Sequence, residues 1–132
     1  PRTVAHELAA RAALASPDPV AWLELTSSGY RKLTRHTALR RASREQLQRN
    51  AAIVLGNLAK PEHVPALVSS LRSNHSALVR THVAWALGRF AVAVAEADAA
   101  LHAAARDDVD PDVRREALAA LAQSSSSITT GA

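Results

Sequence analysis

No cysteine occurs anywhere in the 132 residues. The chain therefore cannot form a disulfide, a thiolate zinc site or a cysteine-ligated iron–sulfur cluster from its own side chains, which leaves it next to no means of redox chemistry by itself. Methionine is also absent, position 1 included, so Pro1 reads as the boundary of a fragment with something upstream. Aromatic residues are few, with two Trp, one Tyr and one Phe, and glycine occurs only four times. No run of about 18 apolar residues exists to cross a membrane, and the opening lacks the charged-then-apolar order of a secretory signal. These absences lead us to expect a soluble, cytoplasmic chain with no membrane partner.

The composition that remains is rich in Ala and Leu. Alanine loses no side-chain entropy in a helix and packs closely, so an all-α fold is expected. A length of 132 residues suits one domain with a real core. Within it, "AAIVLG" from Ala51 and "VAWALG" from Val83 resemble each other at an offset of 32. "VRTHVAWALG" from Val79 matches "VRREALAALA" from Val113 at an offset of 34. Periods of 30 to 40 residues mark stacked helix pairs, none of which buries its apolar stripe without a neighbour.

Local signals place the boundaries. Asp18–Pro19 and Asp110–Pro111 each combine an N-cap with a ring that presets helical φ, and Ser76 occupies the position equivalent to Asp110. We expect helices near 3–15, 19–25, 27–34, 43–59, 62–72, 77–90, 94–106 and 111–122. Residues 1–123 would form a single repeat domain, with basic helices over 1–58 and two regular helix pairs over 59–123. "SSSSITTGA" over 124–132 reads as a flexible tail. In the helix at 43–59, Leu47, Ala51, Val54, Leu55 and Leu58 form the expected packing stripe. Gly56 and Gly88 sit at equivalent places, where two backbones should come close.

Charge is distributed unevenly. Between Tyr30 and Asn50 lie Arg31, Lys32, Arg35, Arg40, Arg41, Arg44 and Arg49 against one acid, Glu45, whereas the rest of the chain holds more acidic than basic side chains. With a net charge of +4 and a pI near 10.6, this concentration points to a polyanionic partner. "SREQ" over 43–46 has the form of a capping box, which would start a helix after Ser43. Arg40, Arg41 and Arg44 would then sit at the positive end of its dipole, unfavourable to cations unless an anion binds there. A solvated basic face, partly offset by a Glu45–Arg49 pair, is the bland alternative.

Other constellations carry less. His6, His36, His63, His75, His82 and His102 lack the paired spacing of metal ligands. His36 alone lies in the basic stretch, where Tyr30 is the better candidate for stacking on a base. Trp85, on the apolar helix of a repeat, reads more as core than as contact. Arg80 and Arg114 share a repeat position suited to pairing with acids of the neighbouring repeat. "DDVDPDV" from Asp107 lacks the glycine and late Glu of a calcium loop and reads as helix capping. No nucleophile elbow, P-loop or dinucleotide glycine pattern appears.

"LTSSGYRKLTRHTALRRASREQLQRNAAIVLGN" from Leu25, with "VPALVSSL" and "VRTHVAWALGRF" after it, resembles the C-terminal part of epoxyqueuosine reductases. Its repeats resemble the HEAT and phycobilisome-lyase-like class. The likeness runs from about Asp18 to Phe90 and is most specific over "ALRRASREQLQRNAAIVLGN". It implies a right-handed α-solenoid serving an enzyme that reduces epoxyqueuosine in tRNA with cobalamin and two 4Fe–4S clusters. The cysteines that hold those clusters are not in this chain. Arg40, Arg41, Arg49 and Asn50 fall on the family's basic motif, while Ser27, Ser28 and Gly29 stand where acids are usual.

The resemblance and the charge together give an expected RNA-binding set of Tyr30, Arg31, Lys32, Arg35, His36, Arg40, Arg41, Arg44, Arg49 and Asn50. The expected partner is tRNA, held at its anticodon arm. Alternatives are docking on the chain's own upstream catalytic part, or a protein segment bound on the concave face of the stack. No metal or cofactor is expected in this chain. Treating it with iron and sulfide under reducing conditions should leave it colourless; a stoichiometric visible chromophore would contradict the reading.

Overall fold

The computed structural model describes residues 18–33, 41–91 and 93–131, so the helix expected over 3–15 lies outside the described residues. The elements are helices α1 (Pro19–Leu23), α2 (Ser27–Leu33), α3 (Arg41–Leu58), α4 (Val64–Ser73), α5 (Ala77–Gly88), α6 (Ala95–Asp107) and α7 (Pro111–Gly131). A 3-10 turn at Pro61–His63 leads into α4. No strand occurs among the described residues. Helices α1, α4 and α6 pack side by side in one layer and α3, α5 and α7 in the other, with α5 touching α3, α4, α6 and α7. The all-α repeat architecture read from the sequence is the one observed.

Capping follows the sequence signals closely. Asp18 Oδ1 accepts from Val20 N at 3.0 Å, Ser76 Oγ from Val79 N at 3.2 Å, and Asp110 Oδ1 from Asp112 N at 2.8 Å. Each satisfies an amide that the helix itself leaves without a partner. Two expectations need correction. The helix expected to begin after Ser43 is already helical at Arg41, so Ser43 is an interior residue and no capping box forms there. The helix from Pro111 continues to Gly131 through the stretch expected as a tail. Ser124 is buried, its hydroxyl 2.8 Å from Gly88 O and 3.0 Å from Ala120 O, so its one proton fastens α7 to α5 or to its own previous turn.

The core is aliphatic and small. Leu55, Leu67, Leu87 and Leu101 are fully buried, with Val64, Val79, Val83 and Val113 around them. Each such side chain contributes roughly 1.5–3 kcal/mol by leaving water. On α3 the buried positions are Gln48, Ala51, Ala52 and Leu55, whereas Val54 and Leu58, expected in the stripe, are 45% and 47% exposed. The stripe turns because α1 and α5 press on α3 from two sides.

Glycine sets the helix spacing. A Cβ on Gly56 would lie 2.5 Å from the Trp85 ring, and one on Gly88 would lie 2.7 Å from Ala120 Cβ and 3.3 Å from its Cα. Both glycines therefore stand at tight crossings, as their equivalent places suggested.

A polar ladder joins the loops. The offset of 32 aligns Gln48 with Arg80, and the offset of 34 aligns Arg80 with Arg114 and Asn74 with Asp108. Gln48, 2% exposed, donates through Nε2 towards the carbonyls of Leu23 (3.0 Å) and Leu25 (3.1 Å), and its Oε1 accepts from Asn74 Nδ2 at 3.1 Å. One repeat later Arg80 donates through Nη1 to Asn74 O at 2.7 Å. Its Nε and Nη2 grip the Asp108 carboxylate at 3.1 and 3.2 Å. Arg114 in turn donates to Asp108 O. The inter-repeat acid expected for Arg80 is thus Asp108.

Replacing Gly88 with Leu should overpack the α5–α7 crossing, costing about 1–3 kcal/mol. Calorimetry should show a melting temperature lower by roughly 4–8 °C for each kcal/mol; an unchanged value would mean the helices do not cross so closely. Arg80→Ala should cost more, about 3–5 kcal/mol, because it strands a buried carboxylate. A double change that also makes Asp108 into Asn should recover part of that loss in urea denaturation.

Candidate nucleic-acid interface

The described members of the expected RNA-binding set do not form one surface. Arg31 and Lys32 are exposed on the last turn of α2. Tyr30 beside them is 5% exposed, so its ring faces are occupied by the fold and cannot receive a base, contrary to expectation. Arg41 opens α3, and Arg35, His36 and Arg40 lie outside the described residues. Arg49 is half-buried and Asn50 exposed. Arg49 lies five positions after Arg44, which sets them about 140° apart around α3.

Arg44 has a structural task that the sequence did not suggest. Its Nη1 donates to Ser27 Oγ at 2.9 Å and its Nη2 to Leu25 O at 2.7 Å, tying the α1–α2 loop and the start of α2 to α3. With the helix already formed at Arg41, Arg44 lies one turn in, and its Nη groups are committed to Ser27 and Leu25. The Glu45–Arg49 pair expected to offset the basic face is not formed among the described residues. Ion pairs occur instead at Arg80–Asp108, Arg106–Asp107 and Arg115–Asp112.

Two concavities flank these residues. The first, ≈ 580 Å³, lies between the α1–α2 loop and the C-terminal half of α4. Arg31 and Arg44 line one side of it and Ser69, Ser70, Ser73 and His75 the other. Sequence reasoning missed the α4 side because serines at 69, 70 and 73 look like an ordinary polar helix face. Their i, i+1, i+4 spacing was the available signal. The second concavity, ≈ 380 Å³, runs across α3, α5 and α7 and is lined by Ile53, Thr81, His82, Trp85 and Glu116. Trp85 is half-buried rather than core, packed against the core with the Arg89 guanidinium 5.8 Å from its ring centroid.

Histidines are dispersed. His82 Nδ1 lies 2.9 Å from Leu78 O, and His102 Nε2 lies 3.6 Å from Asp98 on an exposed surface. Among the described residues no group of three His, Asp or Glu side chains is placed to hold a metal ion. Nor is any described helix long and apolar enough to cross a membrane.

Comparison with known proteins agrees with the architecture. Over 73 residues, 55% of this chain, the sequence is 40% identical to epoxyqueuosine reductase of Xanthomonas campestris pv. campestris, bearing out the resemblance read from the residues. The matching part is 20% of that protein, so this chain corresponds to a fifth of its length. No solved structure matches the chain. The family model for HEAT repeats matches residues 34–122, two thirds of the sequence and all of α3 to α6. With its stacked helix pairs and repeating loop ladder, the chain belongs to the HEAT-repeat family.

Proposed function

We propose that this chain is the RNA-contacting HEAT-repeat module of an epoxyqueuosine-reductase-like protein, holding a tRNA anticodon arm by its phosphates. One contrast carries the reading. Of the six arginines in the C-terminal half, Arg80, Arg106 and Arg115 each sit against an aspartate carboxylate, while Arg72, Arg89 and Arg114 do not among the described residues. Arg31, Lys32, Arg44 and Arg49 have no carboxylate within ion-pairing distance among the described residues. Cations without an acid partner at the N-terminal end of the stack provide charge that a phosphate backbone neutralises on binding. The likeness to an epoxyqueuosine reductase supports tRNA as that polyanion.

Within this proposal the module binds and positions, while the chemistry belongs to the remainder of such a protein. Its contact set among the described side chains is Arg31, Lys32, Arg49 and Asn50, since Tyr30 is buried and the Nη groups of Arg44 hold backbone and Ser27. A second reading, a scaffold for a protein segment, is favoured by the apolar concavity around Ile53 and Trp85.

An anticodon stem–loop should bind the chain with an affinity that falls steeply as salt rises, measured by fluorescence anisotropy. Arg31→Ala with Lys32→Ala should weaken binding about tenfold and flatten the log–log salt slope by about 0.7–0.9 per lost contact. Both side chains are exposed, so stability should stay within about 0.5 kcal/mol. Arg106→Ala with Arg115→Ala removes the same formal charge elsewhere. Equal weakening by both pairs would reduce the effect to net charge, and no weakening by either would leave the basic flank to a different partner.

A further inference from the structure

We propose that the groove between the α1–α2 loop and α4 is a subsite for a single phosphate group, with Ser70 its buried donor. The inference rests on the RNA-binding reading for the source of the phosphate but on independent observations for the site. Ser70 is 8% exposed, lines the groove, and its hydroxyl has no hydrogen-bond partner among the described residues. Arg44 Nε, on the opposite wall, is likewise buried without a partner. Two buried polar groups left unsatisfied on facing walls of one groove are uncommon, because each forfeits its hydration with no return.

The chemistry of the walls selects an anion with several acceptor oxygens. Arg31 supplies guanidinium N–H groups, Arg44 supplies positive charge from a guanidinium whose Nη groups already hold Ser27 and Leu25, and the α4 serines supply hydroxyls. Glu24 is the one acid on the rim, against two arginines and His75. A planar carboxylate offers two oxygens, whereas a phosphate offers oxygens in tetrahedral directions that reach both walls at once. Ser73 already donates to Ser69 O at 2.8 Å, and both oxygens of the Ser27–Leu25 side are engaged by Arg44. Of the α4 serines, Ser69 is exposed to water, so Ser70 is the buried hydroxyl whose proton is uncommitted. Its Oγ is itself shielded from solvent, so a ligand in the groove reaches it only with a change of χ1 among the staggered rotamers. The negative end of the α4 dipole opposes an anion here, but that field is confined to the last turn and is set against two guanidinium charges.

The ≈ 580 Å³ groove is in the size range that takes a nucleotide-sized group. The phosphate could be a backbone phosphodiester of the RNA or a free phosphate, and the two sources separate experimentally. The intact chain and its Ser70→Ala variant are titrated with the stem–loop by anisotropy across salt. Both are also titrated with inorganic phosphate while the amide resonances of residues 69–75 are followed. We expect Ser70→Ala to leave the melting temperature equal or higher, since it deletes an unpartnered hydroxyl, while weakening stem–loop binding about five-fold. A purely structural serine would not separate these two readouts. If the wild type binds the stem–loop and Ser70→Ala binds it equally well, the subsite is overturned and the RNA reading stands. If the wild type ignores the stem–loop, the RNA reading fails. Saturable phosphate shifts at residues 69–75 that Ser70→Ala abolishes then support a site for free phosphate, and their absence overturns the site.

Discussion

Arg80 is the side chain on which the stack depends. It is 8% exposed in a region of alanines and valines, where a charge without partners would be intolerable. It is tolerated because the carbonyl of Asn74 lies on one side and the Asp108 carboxylate on the other, in a bidentate grip. Those contacts fix the loop before α5 and the loop before α7 relative to each other. Gln48 repeats the arrangement one unit earlier without charge, joining the carbonyls of α1 and the following loop to Asn74. The ladder sets the register of successive helix pairs, and the aliphatic core then fills the space between them.

That register would fail if the helices could not approach. Small residues at the crossings, Gly56 against Trp85 and Ala86, and Gly88 against Ala120, let α3, α5 and α7 lie close enough for the loops to meet. Close approach also explains a core with so little aromatic content, because narrow interhelical spaces are filled by Ala, Val and Leu. Hydrophobic burial drives the association, and the ladder selects which association forms.

The same devices divide the chain electrostatically. Towards the C-terminal end, Arg80 and Arg114 are consumed by the fold and Arg106 and Arg115 are neutralised locally, while Arg72 and Arg89 are exposed without an aspartate among the described residues. Towards the N-terminal end the polar register residue is the neutral Gln48, and no described acid forms an ion pair with Arg31, Lys32, Arg44 or Arg49. A rigid repeat scaffold with an unneutralised flank suits the presentation of cations to a partner whose phosphates are regularly spaced. Arg44 links the two roles, since the guanidinium that ties the α1–α2 loop to α3 also forms a wall of the serine-lined groove.

Much of this was legible in the sequence for local reasons. Asp18, Ser76 and Asp110 announce helix starts because a cap acts within three residues, and the offsets of 32 and 34 expose the repeat because each unit faces the same packing problem as the next. The glycines at equivalent positions likewise foretold close crossings, and the charge count marked 30–50 as the basic part of the chain. Only the tertiary structure decided which basic residues remain available. Tyr30 becomes buried and Arg44 becomes a loop fastener through partners 17 and 19 residues away in the chain. "SREQ" has the form of a cap, yet Ser43 is helical, since a local motif is overridden when the helix is supported from beyond it. The groove, too, is assembled from the α1–α2 loop, α3 and α4, segments whose sequences do not refer to one another. Capping and periodicity are short-range and can be read along the chain, but burial and shared partners arise only once distant segments meet.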